Sequence, residues 1–393
     1  MDIFARIAET DIMKQVEAVS AEGINPYFHE LQSRQDTEVI MEGKRRIMLG
    51  SNNYLGLTVH PEVVAAAKQA LDQYGTGCSG SRFLNGTLDL HIQLEQELSA
   101  FLGKEGACTF STGFQSNLGT ISTIVGRHDY MICDIENHAS IYDGCRQSYG
   151  KMLRFKHSDM DDLERKLRQV PPESGALIIT DGVFSMSGDI CKLPDIVDLA
   201  KRYGARIMVD DAHGLGVLGR NGRGTADHFG LTDQVDLIMS TFSKSLASLG
   251  GFISGDKQVI EYIRYSSRPF IFSASMPPSN AAAALAALRI IQKDASYTDR
   301  LMELAQYMRK QLTARHIALR ESSTPIIPIY TYDAMRTLRI NRRLYEEGVY
   351  VNCVLPPATA PGECLLRCSL MATHTHALID EAVEIIARVL EEF

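Results

Sequence analysis

Between about residue 58 and residue 290, short runs of nearly unbroken apolar residues alternate with stretches of helical periodicity, and this alternation limits the fold more than any other feature. The runs are Gly106-Ala-Cys-Thr-Phe110, Tyr130-Met-Ile-Cys-Asp134, Ala176-Leu-Ile-Ile-Thr180, Ala205-Arg-Ile-Met-Val209 and Val235-Asp-Leu-Ile-Met239. Helical patterns such as residues 61–74 and 91–101 stand before and between them. Strands apolar on both faces need cover on both faces, which helices provide for a parallel sheet. The expected class is therefore α/β, with a mostly parallel central sheet and functional residues in loops beyond the strands' carboxyl ends.

With 393 residues the chain exceeds one ordinary core, so a large and a small domain are expected. Residues 1–57 read as an arm: an amphipathic helix, then a hairpin in which Glu42-Gly43 joins 37–41 to 44–48. Residues 58–290 form the large domain. Residues 291–393 hold a long helix, strand runs at 325–329, 349–352 and 365–369, and a terminal amphipathic helix from Ala377, a small α/β domain closing over the site.

Each candidate motif follows one of the predicted strands: Ser111-Thr-Gly-Phe-Gln-Ser-Asn117, Asn137-His-Ala-Ser140, Asp181-Gly-Val-Phe-Ser185, Asp210-Asp-Ala-His213 and Thr241-Phe-Ser-Lys244. A lysine at one strand end, with a carboxylate and an imidazole from a neighbouring one, suits a pyridoxal 5'-phosphate (PLP) enzyme. The amine forms the Schiff base, the carboxylate keeps the pyridine nitrogen protonated, and hydroxyls and amides hold the phosphate. Lys244 takes the first role and Asp210 the second, while Asp211 is left to cap the next helix. His213 reaches the phenolic oxygen if its turn brings it to the side of Asp210. His138 offers a flat ring for stacking, or a helix cap. Gly113 opens a helix whose amino end favours a phosphate, and Thr241, Ser243, Ser273 and Ser275 add hydroxyls. Arg367, inside an apolar strand, needs an anion, either a substrate carboxylate or an internal acid.

A net charge of -8 without a basic block argues against nucleic acid as a partner. Eight scattered cysteines, with no C-x-x-C pair and no Cys/His cluster, suggest neither disulfides nor a metal site. Charges spread through the first twenty residues are unlike a signal peptide. The longest apolar stretch, 281–291, is broken by Arg289 and falls short of the roughly 20 residues that span a bilayer. A cytoplasmic protein is expected, with peripheral membrane contact left open.

Together these residues resemble the α-oxoamine synthase family of PLP enzymes, of the aspartate aminotransferase-like fold type I, which joins an amino acid to an acyl-CoA with loss of carbon dioxide. The likeness runs from Gly50-Ser-Asn-Asn-Tyr-Leu-Gly-Leu57 to Leu365-Leu-Arg-Cys-Ser-Leu-Met-Ala-Thr-His-Thr375. Within the family, Tyr74-Gly-Thr-Gly-Cys-Ser-Gly-Ser-Arg-Phe-Leu-Asn-Gly-Thr87, Thr241-Phe-Ser-Lys-Ser-Leu-Ala-Ser-Leu-Gly-Gly-Phe252 and Pro356-Pro-Ala-Thr359 are similar to the bacterial branch that condenses L-serine with palmitoyl-CoA. The resemblance implies Lys244 for the Schiff base, His138 stacked on the ring, Asp210 at the pyridine nitrogen and His213 at the phenolic oxygen. It implies Gly113 and Phe114 with Thr241 at the phosphate, Ser185 near the ring, and Asn52 and Arg367 near the substrate carboxylate, with Tyr54 and Ser81 also binding substrate. It further implies a homodimer with shared active sites, in which Ser273 or Ser275 reaches the partner's phosphate.

One departure stands out: some members of that branch have arginine directly before Pro-Pro-Ala-Thr, where this chain has Leu355. Arg367 or Asn52 then has to serve the carboxylate. Competing readings are the same condensation with cysteate, alanine or glycine, an aminotransferase, and a non-catalytic binding subunit. Retention of Lys244, Asp210, His138 and His213 speaks against the last.

Overall fold

The computed structural model describes residues 2–393. Two amino-terminal helices, Ile3–Ala8 and Asp11–Ala21, bury no side chain. The hairpin follows as β1 (Glu38–Met41) and β2 (Lys44–Met48), and both turn residues are left-handed, Glu42 at φ 47° and Gly43 at φ 75°. Such a turn twists with the strands it joins, and glycine at its second position makes it inexpensive.

The centre is a seven-stranded sheet of β3 (Gly106–Phe110), β4 (Tyr130–Asp134), β5 (Lys151–Phe155), β6 (Ala176–Asp181), β7 (Arg206–Asp210), β8 (Leu237–Thr241) and β9 (Gly251–Gly255). Their spatial order is β3-β9-β8-β7-β6-β4-β5. All pairs from β8 to β5 are parallel, whereas β9 runs antiparallel to both neighbours. Side chains alternate across the sheet. Ile178, Ile207, Val209 and Ile238 enter one core, and Leu177, Ile179, Met208, Leu237 and Met239 the other. Full burial of each such side chain contributes roughly 1.5–3 kcal/mol, which is why these runs carry no polar face.

Two central strands escape the apolar-run criterion. β5 is the sheet edge and keeps Lys151 and Arg154 exposed, so charge breaks its run. β9 reads as Gly-Phe-Ile-Ser-Gly directly after the lysine turn. Its first glycine is obligatory, because a Cβ on Gly251 would stand 2.6 Å from the Cα of Gly113.

Beyond residue 290, β10 (Ile326–Tyr332), β12 (Asn352–Val354) and β13 (Cys364–Ser369) form an antiparallel sheet in the order β10-β13-β12. The run at 349–352, expected as one strand, is divided. β11 (Val349–Tyr350) pairs in parallel with β2, and β12 pairs with β13. The chain passes between sheets at Val351, whose carbonyl accepts from Asn341 Nδ2 at 2.9 Å. The hairpin is thereby tied to this region, and the terminal helix His376–Glu391 covers it.

Candidate active site

Lys244 sits in the turn between β8 and β9. Phe242 N–H donates to Gly250 O and Ser248 N–H to Phe242 O, each at 2.9 Å, which closes the turn. A Cβ on Gly250, at φ 135°, would lie 2.5 Å from Met276 Sδ, so only glycine lets the chain return so sharply. Lys244 as a residue keeps some exposure, yet its amine lies among buried groups. That burial brings it down to about 8, against the pull of Asp210 and then Asp181.

Asp181 and Asp210 end the neighbouring strands β6 and β7 and pair in register, so two buried carboxylates face one space. Asp210 accepts from Asn117 Nδ2 at 2.6 Å and from Ala212 N at 3.0 Å. Burial, and then the charge of Asp210, push Asp181 well above the usual carboxylate range, while its Oδ1 accepts from the N–H of His138 at 3.3 Å. Asp211 turns away and accepts from Thr225 N at 2.8 Å and Thr225 Oγ1 at 2.6 Å.

His138 is the helix cap of its second sequence reading, and it also lines the cavity. Its Nδ1 caps the helix Ala139–Gln147, accepting from Ser140 N at 3.3 Å and meeting Ser140 Oγ at 2.7 Å, while its ring lines the cavity. Ser140 Oγ accepts in turn from Asn117 Nδ2 at 2.8 Å, so one asparagine fixes both the carboxylate and the histidine. On the other side, His213 Nδ1 lies 2.7 Å from Tyr54 Oη.

Arg367, on β13, is buried and has only neutral partners: the carbonyl of Ser185, Ser369 Oγ, Asn52 Oδ1 at 3.1 Å and Tyr54 Oη at 3.3 Å. Of its two sequence readings, the internal acid is not the one built. Leu355 lies in a turn closed by Ala358 N–H on its own carbonyl.

These groups enclose a cavity of about 220 Å³. Lys244, Asp210, Asp181, His138, His213, Gly113, Phe114, Thr241 and Ser243 line it. Thr112 caps the helix Gly113–Ile124, whose first N–H groups have no partner within the helix. Thr241 packs so close that a Cβ on Gly113 would stand 2.8 Å from it. A backbone cradle at a helix start, with an amine and a carboxylate deeper in, matches the phosphate, aldehyde and ring nitrogen of PLP. The donor set therefore fits that group.

Other residues singled out from sequence lie elsewhere. Ser273 Oγ accepts from Gln115 Nε2 and Ser275 Oγ donates to Gly80 O, both beside a separate small cavity. Ser81 is buried with its hydroxyl unpaired, and Tyr54 stands behind His213. A larger groove of about 800 Å³ opens at the strands' amino ends. Four of its five carboxylates are already committed: Asp236 to Arg206, Asp129 to the N–H groups of Gly126 and Gly175, Asp256 to a helix start and Glu105 to the N–H of Lys257, which leaves Asp233.

Sequence reasoning gave no role to Asp181 or Asn117. Both lay within motifs already singled out, but an acid at a strand end and an asparagine on a helix face show their purpose only when adjacent strands are aligned.

A cofactor cradle at a helix start and a lysine at a strand end define a PLP-dependent enzyme. The chain belongs to the aminotransferase class I and II family, whose model matches residues 44–386. Within it, the chain is most like bacterial serine palmitoyltransferases. That of Sphingobacterium spiritivorum is 52% identical over 377 residues, covering 96% of this chain and 94% of that protein. A solved serine palmitoyltransferase structure with PLP is 37% identical, with a TM-score of 0.97 over 100% of this chain and 99% of that one. The 8-amino-7-oxononanoate synthase of Symbiobacterium thermophilum is 42% identical over 388 residues, 98% of this chain and 99% of that protein.

Proposed function

We propose that this chain condenses L-serine with a long-chain acyl-CoA, palmitoyl-CoA by preference, releasing CoA and carbon dioxide and forming 3-ketodihydrosphinganine. The structural observation that carries the reading is Arg367, a buried cation with four neutral partners, linked through Tyr54 and His213 to the cavity that holds Lys244. A guanidinium so placed calls for a carboxylate from outside the chain. The choice of serine over alanine follows the 52% identity to a serine palmitoyltransferase against 42% to an oxononanoate synthase.

When bound, PLP supplies the electron sink that lets an amino acid's α-carbon part with its proton and later its carboxyl group. Lys244, with an amine near 8, is suited both to take that proton and to return it near neutral pH. Asp210, fixed by Asn117 and Ala212, holds a proton at the pyridine nitrogen. Gly113, Phe114 and Thr241 would hold the phosphate, with Ser243 beside them. His138, whose ring lines the cavity, would help hold the cofactor's ring, and its Nε2 would orient the substrate carboxylate. Arg367 and Asn52 bind that carboxylate, taking the place of the arginine absent at Leu355, and Ser185 shapes the same wall through its bond to Arg367.

Thiol release measured over a matrix of amino acids and acyl-CoAs is expected to favour serine with palmitoyl-CoA by at least about 10-fold over alanine, glycine or cysteate. Preference for another amino acid would overturn the substrate assignment, and keto-acid-dependent amine transfer without thiol release would make the chain an aminotransferase.

A homodimer with shared sites goes with this reading. Phe83, Leu84, Tyr265 and Phe272 are exposed, an apolar group that a second copy would cover, and Ser273 and Ser275 lie outside their own chain's cavity. Light scattering is expected to give twice the 43.5 kDa chain mass, and a monomer at micromolar concentration would refute it. Cytoplasmic residence also goes with it, which cell fractionation tests. All eight cysteines are free thiols, and among the described residues no helix is long and apolar enough to cross a membrane.

A further inference from the structure

We infer that Tyr54 is a positioning residue that fixes the proton of His213 on Nε2, so that this histidine presents only an N–H donor to the cavity. The argument is one of hydrogen-bond direction. Tyr54 is fully buried, and its oxygen has two partners, Arg367 Nη2 at 3.3 Å and His213 Nδ1 at 2.7 Å. A guanidinium only donates. The phenol therefore accepts from Arg367, and His213 Nδ1 is the single acceptor left for its own O–H. With the proton on Nδ1 instead, two donors would face one oxygen and the phenolic hydrogen would be buried without a partner, at a cost of about 1–3 kcal/mol. That is enough to hold one tautomer at roughly 80% or more.

A doubly protonated ring meets the same objection. Burial, and then the charges of Lys244, Arg367 and His138, hold His213 well below its usual range, so it is neutral. Tyr54 is itself raised by burial and keeps its proton. The chain Arg367 to Tyr54 to His213 thus converts a fixed cation into a fixed N–H direction, and it ties the arginine assigned to the substrate carboxylate to the histidine assigned to the cofactor's phenolic oxygen. The inference rests on that cofactor assignment for its purpose, but not for the proton's location.

Nitrogen-15 spectra of ring-labelled histidines in the cofactor-free full chain test it, with His213 identified by its loss in His213→Gln. The parent is expected to show Nε2–H with a bare Nδ1 across about pH 6 to 8, and Nδ1–H or a doubly protonated ring there would overturn the inference. In Tyr54→Phe the two tautomers are expected to mix, PLP affinity to fall about 3- to 10-fold, and the KM for serine to change less than the PLP affinity. An unchanged tautomer in this variant would overturn the proposal, and so would a rise confined to the serine KM, which would make Tyr54 a direct substrate contact. A tautomer that mixes without any change in PLP affinity would uphold the proton assignment and remove His213 from the cofactor. Should Tyr54→Phe fail to fold, the parent spectrum alone decides.

Discussion

Replacing Lys244 with alanine is expected to slow the condensation by at least about 10⁴-fold and to remove the covalent PLP label that borohydride fixes on this residue. Two proposed functions would vanish together, the amine that bonds the cofactor and the base that handles the α-proton. PLP should still enter the cavity, held by the backbone at Gly113 and by Thr241 and Asp210, so the variant separates attachment from binding. Folding should survive, since a buried amine costs free energy to desolvate and alanine does not. Mass spectrometry after reduction, with turnover measured on the same sample, checks the result. A label on another residue, or turnover within about 10-fold of the parent, would take the chemistry away from this turn.

The second large effect concerns His157, outside the cavity. Its Nδ1 lies 3.0 Å from Asp134 and its Nε2 3.0 Å from Asp189, and its ring stands edge-on to Phe184 at 4.4 Å. Burial opposes its charge, but its bonds to Asp134 and Asp189 outweigh this and raise it from 6.5 to about 10. Because the folded value is the higher one, the stabilisation is complete below pH 6.5 and is lost as pH rises through about 10. The clamp steadies the loop holding Ser185, whose carbonyl meets Arg367. His157→Gln is expected to lower stability by about 3 kcal/mol near pH 6, where it leaves two acids without their cation. The gap to the parent should narrow between pH 6.5 and 10. Urea unfolding of both proteins across that range measures it, and a gap independent of pH would show that His157 is neutral in the folded chain.

Much of the site was legible before any coordinates, because its chemistry is written on strand ends. Lys244, Asp210, His138 and Gly113 each follow an apolar run, and each lines the same cavity. Side-chain type and one-dimensional spacing suffice when a parallel sheet gathers every strand's carboxyl end along one edge. The family resemblance named Asn52 and Arg367 together, and the structure brings Asn52 Oδ1 within 3.1 Å of the guanidinium, whereas spacing alone left the arginine's partner open.

What the amino-acid order determined by itself was therefore local: the apolar runs, the helix starts, the turn at Glu42-Gly43 and the residues able to hold PLP. Only the tertiary structure decided that β9 inserts between β3 and β8, that the run at 349–352 divides between two sheets, and that Asp181 stands in register beside Asp210. It also decided that Tyr54 lies between Arg367 and His213, residues separated from it by 313 and 159 positions. The reason is physical. Periodicity and propensity act over a few residues, whereas strand order, carboxylate coupling and hydrogen-bond direction depend on distances that exist only after distant segments have packed.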